Sequence, residues 1–271
     1  MRWVRRIVCA LALAASAGAH AQGAGGPDSV FLEDLTWTEL RDQVRAGSTT
    51  ILVPIGGTEQ NGPYMTLGKH NLRVRMLAER IARALGHTLV APVMAYVPEG
   101  QLDPPTAHMR FPGTVTVPDS IFEATLDSAA NSFRLHGFRD IVFLGDHGGY
   151  QGSLKRVEAR LNGRWAATPA RAHAVDAYYR AAQVDYAAEL QRRGYTREEI
   201  GTHAGLLDTS MSLGLAPGLV RSDKLHAAGK PAVADGVYGD PRRASAALGQ
   251  VGVDIVVGQT VKAIRLAVER R

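Results

Sequence analysis

Two stretches of this 271-residue chain concentrate side chains able to bind a cation and move protons. The first reads Gly57-Thr58-Glu59-Gln60-Asn61-Gly62-Pro63-Tyr64 and continues to Lys69-His70-Asn71. The second reads Gly145-Asp146-His147-Gly148-Gly149-Tyr150-Gln151. Carboxylates and imidazoles are oxygen and nitrogen donors of the kind that hold Zn²⁺ or Mn²⁺, and glycines let backbone approach a bound group closely. If both stretches face one pocket, Glu59, His70 and His147 make a two-histidine, one-carboxylate set. Such a set leaves positions open for water and substrate, as a catalytic centre requires. Asp146 is expected either as a fourth ligand or as the partner that orients a histidine. Neighbours on an extended strand point to opposite faces, so Asp146 and His147 reach one ion only if the chain turns, which Gly148 and Gly149 permit.

The chemistry such a centre supports is hydrolysis. A divalent ion lowers the pKa of bound water from 15.7 towards about 7 and polarises a carbonyl. Asp146 or Glu59 would take the proton. His108, in a polar loop, is a candidate to line the pocket, whereas Tyr178 and Tyr179 read as packing residues. Serine chemistry is disfavoured: no G-x-S-x-G elbow occurs, and Ser210 falls inside an expected helix. The single cysteine, Cys9, lies in the N-terminal apolar run, so a cysteine nucleophile and thiolate-held zinc are excluded from the folded part.

The elements that must position these groups alternate between strand and helix. Residues 50–55 form a continuous apolar, β-branched run, the mark of a strand buried on both faces, and 140–144 repeats it. Each ends in glycine and polar residues. Further strands are expected at 88–91 and 170–175, with a short β segment at 114–117. Helices are expected over 36–46 behind a Thr36 cap, from an Asn71 cap to Gly86, over 121–136, 151–162, 184–193, 208–215 and 244–270. This order predicts an α/β fold with a mostly parallel central sheet covered on both faces. Sites in such sheets form at the carboxyl ends of strands, where both polar stretches lie.

The N-terminus reads as an export signal. Arg2, Arg5 and Arg6 precede an apolar run from Ile7, and Ala19-His20-Ala21 sets cleavage before Gln22. Residues 1–21 are therefore expected to be removed, 22–29 to be a flexible leader and 30–271 to be one domain in the periplasm or outside the cell. The apolar run is too short to span a bilayer. The formal charge of +5 includes the three signal arginines, so the remainder is close to neutral, which argues against nucleic acid as a partner.

The stretch from Ile51 to Asn71 resembles the signature of the creatininase (creatinine amidohydrolase) family. Phe111-Pro112-Gly113-Thr114, Gly145 to Gly149, His203-Ala204-Gly205 with Asp208-Thr209-Ser210, and Gly236-Val237-Tyr238-Gly239-Asp240-Pro241 resemble its later segments in order. The resemblance implies a three-layer α/β/α fold, a possible homo-oligomer and a metal centre, often of two ions, acting on cyclic amides or formamide-like bonds of small molecules. It implies that Glu59 and His147 are ligands and that His203 transfers a proton to the leaving nitrogen. Against the family pattern, Asn61 stands for a histidine, His70 for a bridging aspartate, Gly149 for a glutamate and Asp208 for another glutamate. Tyr64 also replaces a histidine. A neutral imidazole presents one lone pair and cannot bridge two cations, so one ion is expected, held by Glu59, His70 and His147, with Asp146 the candidate fourth ligand. Asn61, Tyr64, His108, Gly148, Gly149 and Asp208 are the expected substrate-binding positions. A non-catalytic relative that binds a small molecule or metal is the alternative.

Overall fold

The computed structural model describes residues 28–227, 229 and 231–269, so the expected signal segment and all but the last two residues of the leader lie outside the described residues. The chain enters through α1 (Trp37–Arg45), where Thr36 accepts from the Glu39 amide and Glu39 accepts from the Thr36 amide. Four strands follow through the chain: β1 (Thr50–Ile55), β2 (Thr88–Val90), β3 (Asp140–Gly145) and β4 (Arg171–Ala174). They form one parallel sheet in the order β2-β1-β3-β4. The chain runs outward from β1 to β2, then returns to the other side of β1 for β3. The boundary between β1 and β3 is therefore the switch point of the sheet, and both polar stretches leave from it.

Alternation along the strands builds two cores. Leu52, Val90, Val142 and Leu144 face one layer, made by α2 (Lys69–Leu85), α5 (Asp176–Arg180), α6 (Tyr186–Arg192), α8 (Leu206–Leu215) and α10 (Ala246–Glu269). Ile51, Val53, Ile141 and Phe143 face the other, made by α3 (Asp119–Leu135) and α4 (Gln151–Arg164). Each such side chain contributes about 1.5–3 kcal/mol by leaving water. The three-layer α/β/α expectation holds. In the thicker layer α8 and α10 meet at backbone distance: a Cβ on Gly249 would stand 1.8 Å from the Ser210 carbonyl oxygen.

Several local expectations change. Asn71 does not cap α2, which begins two residues earlier behind Gly68; its carboxamide oxygen instead accepts from the Gly57 amide at 2.9 Å. Residues 114–117 form only one bridge, Thr58 to Val115, because the segment lies across the loop after β1 rather than along the sheet. The helix expected at 184 begins at Asp176 and passes through a π turn, Ala181–Asp185, before α6. Short helices α7 (Arg197–Ile200) and α9 (Ser222–Ala227) had no clear periodic signal. Among the described residues no helix is long and apolar enough to cross a membrane.

Candidate metal centre

Glu59 sits in the turn that leaves β1, wholly buried. The turn needs glycine at position 57, where φ is +154 and a Cβ would stand 2.4 Å from Glu99 Oε1. The two oxygens of Glu59 meet different surroundings. Oε1 lies 2.7 Å from His70 Nε2, 3.5 Å from Lys69 Nζ and 3.6 Å from His203 Nδ1. Oε2 lies 3.2 Å from His108 Nε2 and 3.5 Å from His147 Nε2, yet it has no hydrogen-bond partner among the described residues. Burial pushes the Glu59 carboxyl up, but the charges of His70 and Lys69 outweigh it and hold the group well below the usual carboxylate range.

Behind Oε1 lies a saturated network. The His70 ring is held between Asp146 Oδ2, 2.6 Å from Nδ1, and Glu59 Oε1. With Arg73 Nη2 also 3.1 Å from Nδ1, both ring nitrogens are engaged. Arg73, one turn along α2 and fully buried, donates to Asp146 Oδ2 at 2.8 Å and to Asp208 Oδ1 at 2.7 Å. Tyr178 donates to Asp146 Oδ1 at 2.7 Å. Asp208 Oδ2 accepts from the Ala204 amide at 3.0 Å and lies 3.4 Å from Lys69 Nζ. Burial pushes both aspartates up, but Arg73 beside Asp146, and Lys69 with Arg73 beside Asp208, hold them below their usual range.

In front of Oε2 the groups are neutral and under-bonded. Burial pulls His147 down to about 4 and lowers His108 as well, so both rings are uncharged at neutral pH. Burial, reinforced by Lys69, pulls His203 down to about 3. His203 Nε2 donates to the Gln60 carbonyl at 2.9 Å, and the Gln60 side chain lies 3.0 Å from His108 Nδ1. Residues adjoining two of these histidines are held at positive φ, +46° at Ala107 and +52° at Ala204, strain of the kind that persists where surrounding structure over-determines a site. The Gly149 amide donates to His147 Nδ1 at 3.2 Å. That contact leaves the ring proton on Nε2 and has to yield if Nε2 is to bind a cation.

Three donors, from Glu59, His108 and His147, lie within 4.8 Å of one another. Donors about 2.0–2.2 Å from one tetrahedral ion stand roughly 3.3–3.6 Å apart. The separations of 3.2 and 3.5 Å around Glu59 Oε2 match that spacing, and this buried oxygen lacks a positive partner. The donor set fits Zn²⁺ or Mn²⁺. Beside it opens a cavity of about 360 Å³ whose wall includes Lys69, His70, Gly148, Tyr179, Gln183, His203 and Asp208.

Several expected site residues take other places. His70 was expected as a ligand; both its nitrogens are engaged by Asp146 and Glu59, and the donor grouped with those of Glu59 and His147 comes from His108. Asp146 was expected as ligand or base; its two oxygens accept from His70, Arg73 and Tyr178, which is the orienting alternative. Tyr64 does not reach the cavity: it is buried among Met65, Ala204, Val220 and Val237 and donates to the Ala204 carbonyl at 2.6 Å. Asn61 braces its own loop, donating to the carbonyls of Glu59 at 2.9 Å and Thr66 at 3.0 Å. Asp208 and Gly148 do line the cavity, and Gly149 makes the turn behind His147. Sequence reasoning missed Lys69, Arg73 and Glu99. It also set Tyr178 and Tyr179 aside, although the first holds Asp146 and the second lines the cavity.

Fold and site together define a three-layer α/β protein whose switch point carries a histidine and carboxylate cluster suited to a divalent ion. The creatininase family model, described as creatinine amidohydrolase, matches residues 33–264, and the chain belongs to that family. The creatinine amidohydrolase of Pseudomonas putida is 29% identical over 203 residues, 73% of this chain and 76% of the relative. A mycofactocin precursor peptide peptidase of Mycobacterium tuberculosis is 28% identical over 236 residues, 77% of this chain and 81% of the relative. A solved structure named creatininase Mn superposes with a TM-score of 0.74 at 23% identity, over 88% of this chain and 98% of that one. The chain is thus an enzyme of an amidohydrolase family, on the family's fold.

Proposed function

We propose that this protein is a metal-dependent amidohydrolase that opens a C–N bond in a small cyclic amide or formamide-like substrate, with one divalent ion held by Glu59, His108 and His147. The observation that carries this reading is the buried, unpartnered Glu59 Oε2 facing two neutral imidazoles. When bound, the ion supplies a Lewis acid for the carbonyl and lowers the pKa of a coordinated water.

The chain's own residues do the rest. The network of His70, Asp146 and Arg73 fixes the Glu59 carboxylate so that Oε2 faces forward. Gln60 fixes the His203 ring through Nε2, which leaves Nδ1 3.6 Å from Glu59 Oε1 with the ring in the cavity wall. Because burial keeps that ring neutral, a proton reaching Nδ1 is passed on to the leaving nitrogen rather than stored. Lys69 keeps a fixed positive charge in the wall, next to both Glu59 and Asp208. The cavity volume suits a small molecule, and Tyr179, Gln183 and Tyr238 offer it hydrogen-bonding groups. The names of both relatives describe hydrolysis at amide-type bonds, which supports the bond class.

Elemental analysis of protein purified without chelator, followed by a screen of cyclic amides and formamides, tests the reading. About one Zn or Mn per chain is expected, with turnover lost on chelation and restored by the ion. Full turnover in metal-free protein overturns it; tight ligand binding by metal-loaded protein without turnover favours the non-catalytic alternative. The basic-then-apolar N-terminus supports export, and a mature protein starting at Gln22 in periplasmic extracts is the expected result of N-terminal sequencing.

A further inference from the structure

We infer that Glu99 is an additional oxygen ligand of the Glu59–His108–His147 centre, completing the cation site from a loop that carries none of the recognised motif residues. The inference rests on the metal-dependent reading above. Glu99 follows β2 on an irregular segment, yet its position is tightly fixed. Its amide donates to Thr116 Oγ1 at 2.9 Å, the Gly100 carbonyl accepts from the same hydroxyl at 3.1 Å, and the Val117 amide donates to the Val97 carbonyl at 3.2 Å.

The side chain has no exposed surface, and among the described residues its carboxyl oxygens meet no N–H or hydroxyl donor, only the neighbouring Glu59 carboxyl. Oε2 lies 3.6 Å from His147 Nε2, nearly the separation of Glu59 Oε2 from the same nitrogen, 3.5 Å. Gly57 leaves the room that Glu99 Oε1 occupies. Two carboxyl groups thus share one side of His147, buried, with no arginine, lysine or backbone amide satisfying the second. A buried carboxyl left this way has to keep its proton or be joined by a positive charge. A divalent ion in front of Glu59 Oε2 supplies that charge, and carboxylate oxygen is a donor both Zn²⁺ and Mn²⁺ accept.

The test compares parent, Glu99→Gln and Glu99→Ala by titration of the metal-free proteins with Zn²⁺ against a chromophoric chelator, and by the visible spectrum after Co²⁺ loading. The proposal predicts affinity weakened at least about tenfold in both variants. It also predicts a changed Co²⁺ spectrum in both variants, while metal-free Glu99→Gln keeps the parent's far-UV spectrum. Unchanged affinity and an unchanged spectrum in Glu99→Gln overturn the assignment of Glu99 while leaving the centre itself standing. A parent protein that binds no Zn²⁺ or Co²⁺ overturns the centre and this ligand together.

Discussion

The two sides of the Glu59 carboxylate are a few ångströms apart and obey opposite rules. On the Oε1 side, His70, Lys69, Arg73, Asp146, Tyr178 and Asp208 are buried together, and nearly every donor meets an acceptor. On the Oε2 side, two neutral imidazoles and two carboxyls face one another with almost no hydrogen bonds. Buried charges are stable only when paired. The first side is complete as it stands and holds geometry; the second is completed by a cation.

That contrast is broken most sharply at the imidazoles. His147→Ala or His108→Ala should lower metal affinity and kcat/KM by at least about a hundredfold while the far-UV spectrum and melting change little. His70→Ala should weaken the metal less than either, since its ring supports Glu59 rather than the ion. Equal or greater metal loss in His70→Ala would return His70 to the ligand set.

The saturated side is probed by stability. Arg73→Met leaves Asp146 and Asp208 buried without their main partner and should cost about 3–5 kcal/mol in denaturant unfolding. A cost under 1 kcal/mol would show that the network is dispensable.

The strand exits were legible because their chemistry is local. An apolar β-branched run followed at once by Gly-Gly-Thr-Glu or Gly-Asp-His announces a loop leaving a buried strand, and Glu59 and His147 followed from that. The choice between His70 and His108 was not legible. Residue spacing places His70 near Glu59, but as the second residue of α2 its ring is drawn behind the carboxylate by Asp146, an orientation no spacing encodes. His108 reaches the site from a loop whose course depends on Gln60 and on a strained Ala107. Lys69 and Arg73 look in sequence like the solvated face of a helix start, and the packing of α8, whose Asp208 meets both, is what buries them. Glu99 in a polar loop carries no signal. The helix register was clearer than its cap, since Asn71 was claimed by the turn at Gly57.

Acid sharpens the comparison further. Asp146 and Asp208 have folded-state values below the unfolded reference of about 3.9, so the unfolded chain takes up their protons first as pH falls. Their contribution is fully present from pH 7 down to about 5 and is lost progressively below about pH 4. The gap in melting temperature between metal-free parent and Asp208→Asn, which isolates the Asp208 share, should therefore stay level over the upper window and then narrow.

The smallest effect belongs to Tyr64. Removing its hydroxyl in Tyr64→Phe deletes one buried hydrogen bond to the Ala204 carbonyl and should cost about 0.5–1.5 kcal/mol. KM and kcat should stay within about twofold of the parent if, as its position indicates, it does not touch substrate. A larger KM change would bring Tyr64 back to the substrate.

The most direct measurement is an anomalous difference map from crystals grown or soaked with Mn²⁺ or Zn²⁺, collected at the metal's absorption edge. One peak per chain is expected, within bonding distance of Glu59 Oε2, His108 and His147. No peak, or a peak between Glu59 Oε1, His70 and Asp146, would contradict the division of the site into a filled side and a side that waits for its ion.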